Sequence, residues 1–283
     1  MSHAEDPRAA LRRHGLSPKA AFSQNFLVST NAVRTIVAAT AAAPGELVVE
    51  LGAGLGTLTN ALIEAGAHVV AIERDPDMIH VLTADLVPKG LVLRPGDAAD
   101  VDYAALLEAA GRAGPACVVG NLPYAITGGI LRNLVEQRAH ISRAIVMVQR
   151  EVRDRLIAAP GTAEYGALTV FTTASFGVQT VLKLPPSAFH PQPRVHSAVV
   201  RLDVLATPRA AETREFRTVV KAAFEQRRKT LRNALRAAIG QERAELALAR
   251  AGIDPIRRGE TLSVEEFATL ASHVELDPEP PAS

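Results

Sequence analysis

Val48-Val49-Glu50-Leu51-Gly52-Ala53-Gly54-Leu55-Gly56-Thr57-Leu58-Thr59 reads as a buried strand, a glycine-rich turn and the first turn of a helix. Val48, Val49 and Leu51 give β-branched and apolar bulk. The glycines at 52, 54 and 56 permit a sharp turn and let a ligand approach where a Cβ would block it. A helix entered from such a turn aims unpaired N–H groups at whatever sits there. The dinucleotide fingerprint G-x-G-x-x-G suits a pyrophosphate at a helix N-terminus. Here the third glycine comes one residue early, with Glu50 just ahead of the turn. An acid in that place suits a ligand carrying an ammonium and a sulfonium better than one carrying phosphates.

Val69-Val70-Ala71-Ile72-Glu73 is a second strand ending in an acid, 21 residues after Gly52. That offset suits a carboxylate that takes a ribose hydroxyl pair. The two acids and the glycine turn together favour S-adenosylmethionine over a nicotinamide dinucleotide.

Strand and helix signals alternate from there. The spacing predicts a helix over 58–65, a strand over 68–72, a helix opened by Pro76, a strand over 91–94, a helix near 103–110 and a strand over 116–119. A helix over 127–137 and a strand over 144–148 follow. This alternation argues for a parallel sheet with helices on both faces. Ligands of such sheets bind beyond the carboxyl ends of the strands. Glu50, Glu73, Asp97 and Asn121 all fall at those ends. Residues 149–176 read as helical, and 178–184 and 198–204 as late strands. The proline-rich loop between those strands is stiff and would hold Phe189 in a fixed place, either beside the ligand or tucked into the core.

The chain has 283 residues and 48% hydrophobic content, enough for a large domain plus a small one. No apolar run approaches the roughly 18 residues of a membrane span. No secretory signal is evident. The single Cys117 allows no disulfide framework, which fits a reducing cytoplasm. Net charge is +1, but residues 213–258 hold twelve Lys or Arg against five acids, and 259–283 hold six acids and no Lys or Arg. A basic helical module points to a polyanion partner. The expected organisation is a flexible basic segment over 1–21, a catalytic domain over 22–206, a helical RNA-binding domain over 207–274 and a disordered tail over 275–283.

Asn121-Leu122-Pro123-Tyr124 carries the chemistry. An exocyclic amine on a nucleobase is a poor nucleophile because its lone pair is delocalised into the ring. The Asn121 side-chain oxygen and the Leu122 carbonyl can accept its two N–H bonds and favour a pyramidal nitrogen. Pro123 stiffens the turn. Tyr124 offers a face for base stacking, worth roughly 1–3 kcal/mol, and Phe189 would close the other side. No strong general base and no metal are needed, since a sulfonium is already an activated methyl donor. Catalysis is then alignment and electrostatics. A target base must be flipped out or lie in an unpaired loop, as RNA loops provide. Arg227, Arg228, Lys229 and Arg232 would grip the flanking backbone, against the plainer reading of a solvated helix face.

Gln24-Asn25-Phe26-Leu27, the glycine turn, Glu73, Asp97, Asn121 to Tyr124 and the Phe189 loop together resemble the rRNA adenine dimethyltransferase family, from about residue 22 to 270. The run Ala223 to Thr230 and the Pro186-Ser187-Ala188-Phe189 loop are most similar to its bacterial members that act on 16S rRNA. The resemblance implies a class I S-adenosylmethionine-dependent methyltransferase, with a Rossmann-like, seven-stranded, mostly parallel sheet and a small all-α C-terminal domain. It implies four methyl transfers to two adjacent adenosines in the 3′-terminal hairpin loop of 16S rRNA, on a pre-30S particle. By position, Asn25, Leu27, Gly52, Glu73, Asp97 and Asn121 would hold the cofactor, with Asp97 at its adenine amine. Asn121, Leu122, Pro123, Tyr124 and Phe189 would form the target pocket. On the residues alone, Asn25 and Leu27 also fit a hydrophobic staple ahead of the helix at Thr30. Nothing points to an obligate dimer, so a monomer is expected. A 23S adenine methyltransferase, a non-catalytic assembly factor that kept the fold and a nicotinamide dehydrogenase are the rival readings.

Overall fold

The computed structural model describes residues 5–19 and 24–277. The chain divides into two compact units, Met1–Arg153 with Gly177–Val204, and Asp154–Phe176 with Leu205–Ser283. In chain order the first unit begins with α1 (Pro7–Arg13), β1 (Phe26–Leu27), α2 (Thr30–Thr40), β2 (Leu47–Leu51), α3 (Thr57–Glu64), β3 (His68–Glu73) and α4 (Pro76–Asp85). It continues with β4 (Val92–Pro95), α5 (Tyr103–Ala109), β5 (Ala116–Asn121), α6 (Thr127–Glu136) and β6 (Ile141–Gln149). After α7 (Arg150–Leu156) and α8 (Ala167–Ser175) the sheet resumes with β7 (Phe176–Leu184), β8 (Phe189–His190) and β9 (Ser197–Val204).

Seven strands form one sheet in the order β4-β3-β2-β5-β6-β9-β7. The pairs β2–β3, β3–β4, β2–β5 and β5–β6 are parallel, and β9 runs antiparallel to β6. Alternate residues on one face, Val69 and Ala71, Cys117 and Val119, Ile145 and Met147, share a core with Ile36 of α2, Leu62 of α3 and Leu82 of α4. The intervening residues Val49, Val70, Val118 and Val146 are equally buried. Burial on both faces is what a parallel sheet with helical covers requires, and it explains the unbroken apolar strands of the sequence. Three of the helices on this sheet start at a side-chain cap. Ser29, Asp75 and Asp102 each accept a backbone N–H at the start of α2, α4 and α5.

The second unit is helical, with α9 (Arg214–Glu225), α10 (Leu231–Ile239), α11 (Gln241–Ala251) and α12 (Val264–Ala271). Phe216, Val219, Leu235, Leu248 and Phe267 make its core, together with Tyr165, Val170 and Ala174. The domain boundary expected at 206 is therefore too simple, because residues 154–176 pack with the later helices. Their apolar residues complete that core, and the Tyr165 hydroxyl donates to the Leu262 carbonyl at 2.8 Å.

Two further expectations change. The segment expected to be flexible contains α1, whose Leu11 is buried with Phe26 and Met78 and whose Arg13 pairs with Asp85 at 2.7 Å. The expected tail keeps contacts as far as Asp277: Leu276 packs against the helical core and the exposed Asp277 accepts from Arg243 at 2.6 Å. Phe22 and Ser23 of the proposed catalytic domain, and the tail beyond 277, lie outside the described residues.

Candidate active site

The strand order reverses between β2 and β5, which places a cleft beyond their carboxyl ends. Gln24 to Leu27, Glu50, the glycine turn, Glu73, Arg74, Gly96, Ala98 and Asn121 to Ile126 line this one cleft. Two glycines make it possible. Gly56 caps α3 with φ 77°, and a Cβ there would stand 2.3 Å from Leu86 Cδ1. Gly120 lets β5 close on β2, since its Cβ would stand 2.6 Å from the Leu51 carbonyl oxygen.

The acids have different surroundings. Glu50 is 2% exposed, and its Oε2 has no hydrogen-bond partner. Burial pushes its carboxyl up to about 8, Thr59 opposes that shift and the neighbouring Glu73 charge reinforces it. Glu73 is tied to the backbone. Its Oε2 accepts from Gly54 N at 2.8 Å, and its Oε1 accepts from Arg74 N at 2.8 Å and Asp75 N at 2.9 Å. The carboxylate thus fixes the glycine turn and the start of α4 at once. Asp97 sits beside the cleft wall formed by Gly96 and Ala98 rather than in it. Its Oδ1 accepts from Ala99 N at 3.0 Å and its Oδ2 from the Arg74 guanidinium at 2.7 Å.

The Asn121 corner has the expected polarity. Asn121 Nδ2 donates to the Asn25 carbonyl at 2.9 Å. A carbonyl can only accept, so this bond fixes which end of the amide is nitrogen. Among the described residues nothing donates to Asn121 Oδ1 or to the Leu122 carbonyl. Two acceptors are therefore left over on consecutive residues. Leu122 is buried and its N–H is held by the Met147 carbonyl at 3.0 Å. Pro123 anchors the next turn, its carbonyl accepting from Ile126 N and the Thr127 hydroxyl. The Tyr124 hydroxyl meets the buried Ser197 Oγ at 3.1 Å, which orients the ring at the cleft.

Phe189 is not brought to this corner. It is 2% exposed, packed with Leu27, Leu184 and Ala188, and its strand β8 pairs antiparallel with β1 so that Leu27 faces Phe189. The expectation of an exposed base-closing ring is corrected to a buried ring outside the cleft lining, paired across β1–β8 with the cleft residue Leu27. Asn25 and Leu27 do line the cleft.

Within the helical unit the basic run departs from expectation. Residues 226–229 form the turn between α9 and α10 rather than a helix face. Arg227 is spent inside the unit, donating to the Ala163 and Tyr165 carbonyls at 3.0 and 3.1 Å and pairing with Glu260. All four cations, Arg227, Arg228, Lys229 and Arg232, are exposed, but among the described residues only Arg227 has these partners within the run.

Two residues that the sequence reading passed over take part. Arg74 holds Asp97, and Asp75 holds Lys19 and Gln24. Asp75 ahead of Pro76 is legible as a helix cap, but its partners lie far upstream and leave no local signal.

The profile of the ribosomal RNA adenine dimethylase family matches residues 15–275. The ribosomal RNA small subunit methyltransferase A of Myxococcus xanthus (strain DK1622) is 46% identical over 271 residues, covering 94% of each chain. Among solved structures, a dimethyladenosine transferase from Plasmodium falciparum shares the fold with a TM-score of 0.73 at 22% identity, over 87% of this chain and 95% of that one. The 23S rRNA methyltransferase ErmE superposes with a TM-score of 0.63 at 25% identity, over 88% and 99%. The seven-stranded sheet is that of the class I methyltransferases, and the chain belongs to the ribosomal RNA adenine dimethylase family.

Proposed function

We propose that the protein dimethylates the exocyclic amines of two adjacent adenosines in the 3′-terminal hairpin loop of 16S rRNA, with S-adenosylmethionine as methyl donor, on a pre-30S particle in the cytoplasm, and that it acts as a monomer. The observation that carries this reading is the pair of leftover acceptors, Asn121 Oδ1 and the Leu122 carbonyl, in one cleft with a buried carboxyl oxygen of Glu50 that has no partner. The M. xanthus relative is named for the small subunit, which favours 16S over 23S rRNA as the substrate.

The residues fit the donor. Burial keeps the Glu50 carboxyl protonated without a ligand, and the positive ammonium and sulfonium of adenosylmethionine would favour its ionised form and pair with it. Gly52 lines the cleft with φ 70°, a backbone conformation that favours glycine. Glu73 takes the ribose hydroxyls, and Asn25 and Leu27 form the opposite wall. Asp97, beside the wall and paired with Arg74, would be the acceptor for the adenine amine. Bound there, the donor supplies a methyl group already activated by its positive sulfur.

The chain's own residues then align the acceptor. Asn121 Oδ1 and the Leu122 carbonyl hold the two amine N–H bonds and turn the nitrogen lone pair out of the ring plane. Tyr124 stacks on the base. Leu122 and Pro123 keep the corner dry and rigid. The amine proton leaves after transfer, so no side chain has to act as a strong base. Arg228, Lys229 and Arg232 hold the rRNA backbone.

Labelled adenosylmethionine incubated with 30S particles that lack the modification tests this. Incorporation into 16S rRNA, located by mass spectrometry at two adjacent adenosines, is the expected result. Label in 23S rRNA and none in 16S would transfer the reading to the ErmE type of substrate.

A further inference from the structure

Asp75 is 1% exposed, yet it carries more hydrogen bonds than a helix cap needs. Its Oδ1 accepts from Asp77 N at 3.1 Å, which is the capping bond, and from Lys19 Nζ at 2.6 Å. Its Oδ2 accepts from Gln24 Nε2 at 2.6 Å. Its own N–H donates to Glu73 Oε1 at 2.9 Å. Gln24 is held a second time, its Oε1 accepting from Lys19 N at 2.7 Å.

These bonds converge on the wall of the cleft. Gln24 precedes Asn25, whose carbonyl accepts from Asn121 Nδ2. Phe26 and Leu27 continue into the short pairing with β8. The wall is thus fixed at one end by Asp75 and at the other by β8, with Asn121 hanging from its middle. Glu73, which holds the glycine turn, also accepts the Asp75 backbone N–H. A buried carboxylate with Lys19 and a backbone N–H on one oxygen and the Gln24 amide on the other is held in one plane, because rotating out of it would leave a buried charge unpaired.

We propose that Asp75 is a positioning residue for methyl transfer. It sets the place of the Gln24–Leu27 wall and, through Asn25, the orientation of the Asn121 amide. The proposal rests on the role given to Asn121 above. It assigns to Asp75 a share of turnover that a helix cap alone would not have.

Asp75→Asn is the test, because the amide keeps the size and one oxygen for Asp77 N–H while the nitrogen that replaces Oδ2 cannot accept from Gln24. With adenosylmethionine and unmodified 30S particles, kcat should fall on the order of tenfold, since small misplacements of aligning groups have large effects. The KM for adenosylmethionine should rise, and the melting temperature of the ligand-free protein should stay within a few degrees of wild type. Gln24→Ala should lower kcat similarly, and the double variant should be no slower than the worse single one, as expected of one shared path. A lower melting temperature with kcat and KM unchanged would overturn the proposal, as would multiplying effects in the double variant. If Asp75→Asn does not fold, Gln24→Ala decides alone, and an unchanged kcat there counts against the idea. Wild-type protein that transfers no methyl group would sink the functional reading instead. Adenosylmethionine calorimetry on Asp75→Asn would then still report on the wall, and an unchanged dissociation constant would overturn the positioning role.

Discussion

Asn121 Nδ2 and the Asn25 carbonyl oxygen are 2.9 Å apart, joining residues 96 positions apart in the chain. The bond leaves the amide oxygen without a donor among the described residues, the acceptor that the proposed function assigns to an incoming base. It also makes the orientation of that amide depend on a wall built from the N-terminal segment.

Asn121→Ala removes that acceptor while the Leu122 carbonyl remains. Loss of one preorganised group at the reacting centre costs about 10²–10³ in rate. Single-turnover methyl transfer should drop by that order, and the adenosylmethionine dissociation constant, read by calorimetry, should rise only a few-fold. Equal loss in both would place Asn121 in donor binding rather than in aligning the amine.

Glu50 makes stability depend on pH. Its folded value of about 8 lies above the ordinary 4.5, so the folded protein holds a proton that the unfolded chain has released between those values. Stability of the ligand-free protein therefore falls as pH rises from about 4.5 to about 8 and levels off beyond. Glu50→Gln removes this pH dependence. Its melting temperature should exceed wild type by several degrees at pH 8.5 and match it near pH 4.5. Adenosylmethionine affinity should weaken by roughly tenfold or more, as for a missing hydrogen bond to a charged group. A variant that gains stability equally at both pH values would assign the effect to packing.

The parallel sheet and most of its acids were legible because they are local. Apolar runs of strand length ending in Glu73 or Asn121 announce both burial and polarity. What escaped is set by pairing over long stretches of chain. Phe189 reads as a displayed ring in a stiff loop, and only the partnership of β8 with β1 turns it inward. Tyr165 and Val170 look like a continuation of the catalytic unit, and only the apolar faces of α9 and α12 claim them. Arg227 and Arg228 are indistinguishable in sequence, and one of them is consumed by the Ala163 and Tyr165 carbonyls.

Phe189→Ala follows from its burial. Deleting a core phenylalanine costs about 3–5 kcal/mol, so the melting temperature should fall by many degrees. Because Phe189 backs Leu27, adenosylmethionine affinity should fall as well. A stacking ring would instead lower turnover and leave stability nearly untouched, and thermal melting separates the two outcomes.

Arg227 and Arg228 should part company in the same way. Arg227→Ala removes two hydrogen bonds and an ion pair at a side chain that is 43% exposed, so water takes over part of the loss and the melting temperature should fall by an amount worth only about 0.5–1.5 kcal/mol. Arg228→Ala should leave melting unchanged and weaken binding to the 30S particle. Removing a cation that binds one phosphate makes the slope of log affinity against log salt shallower by about one. Binding measured across a salt series should therefore show a shallower slope for Arg228→Ala, and a shallower one still for Arg228→Ala with Lys229→Ala. A slope identical to wild type in the double variant would remove this turn from the rRNA interface and leave Arg232 on α10 as the remaining cation of the run.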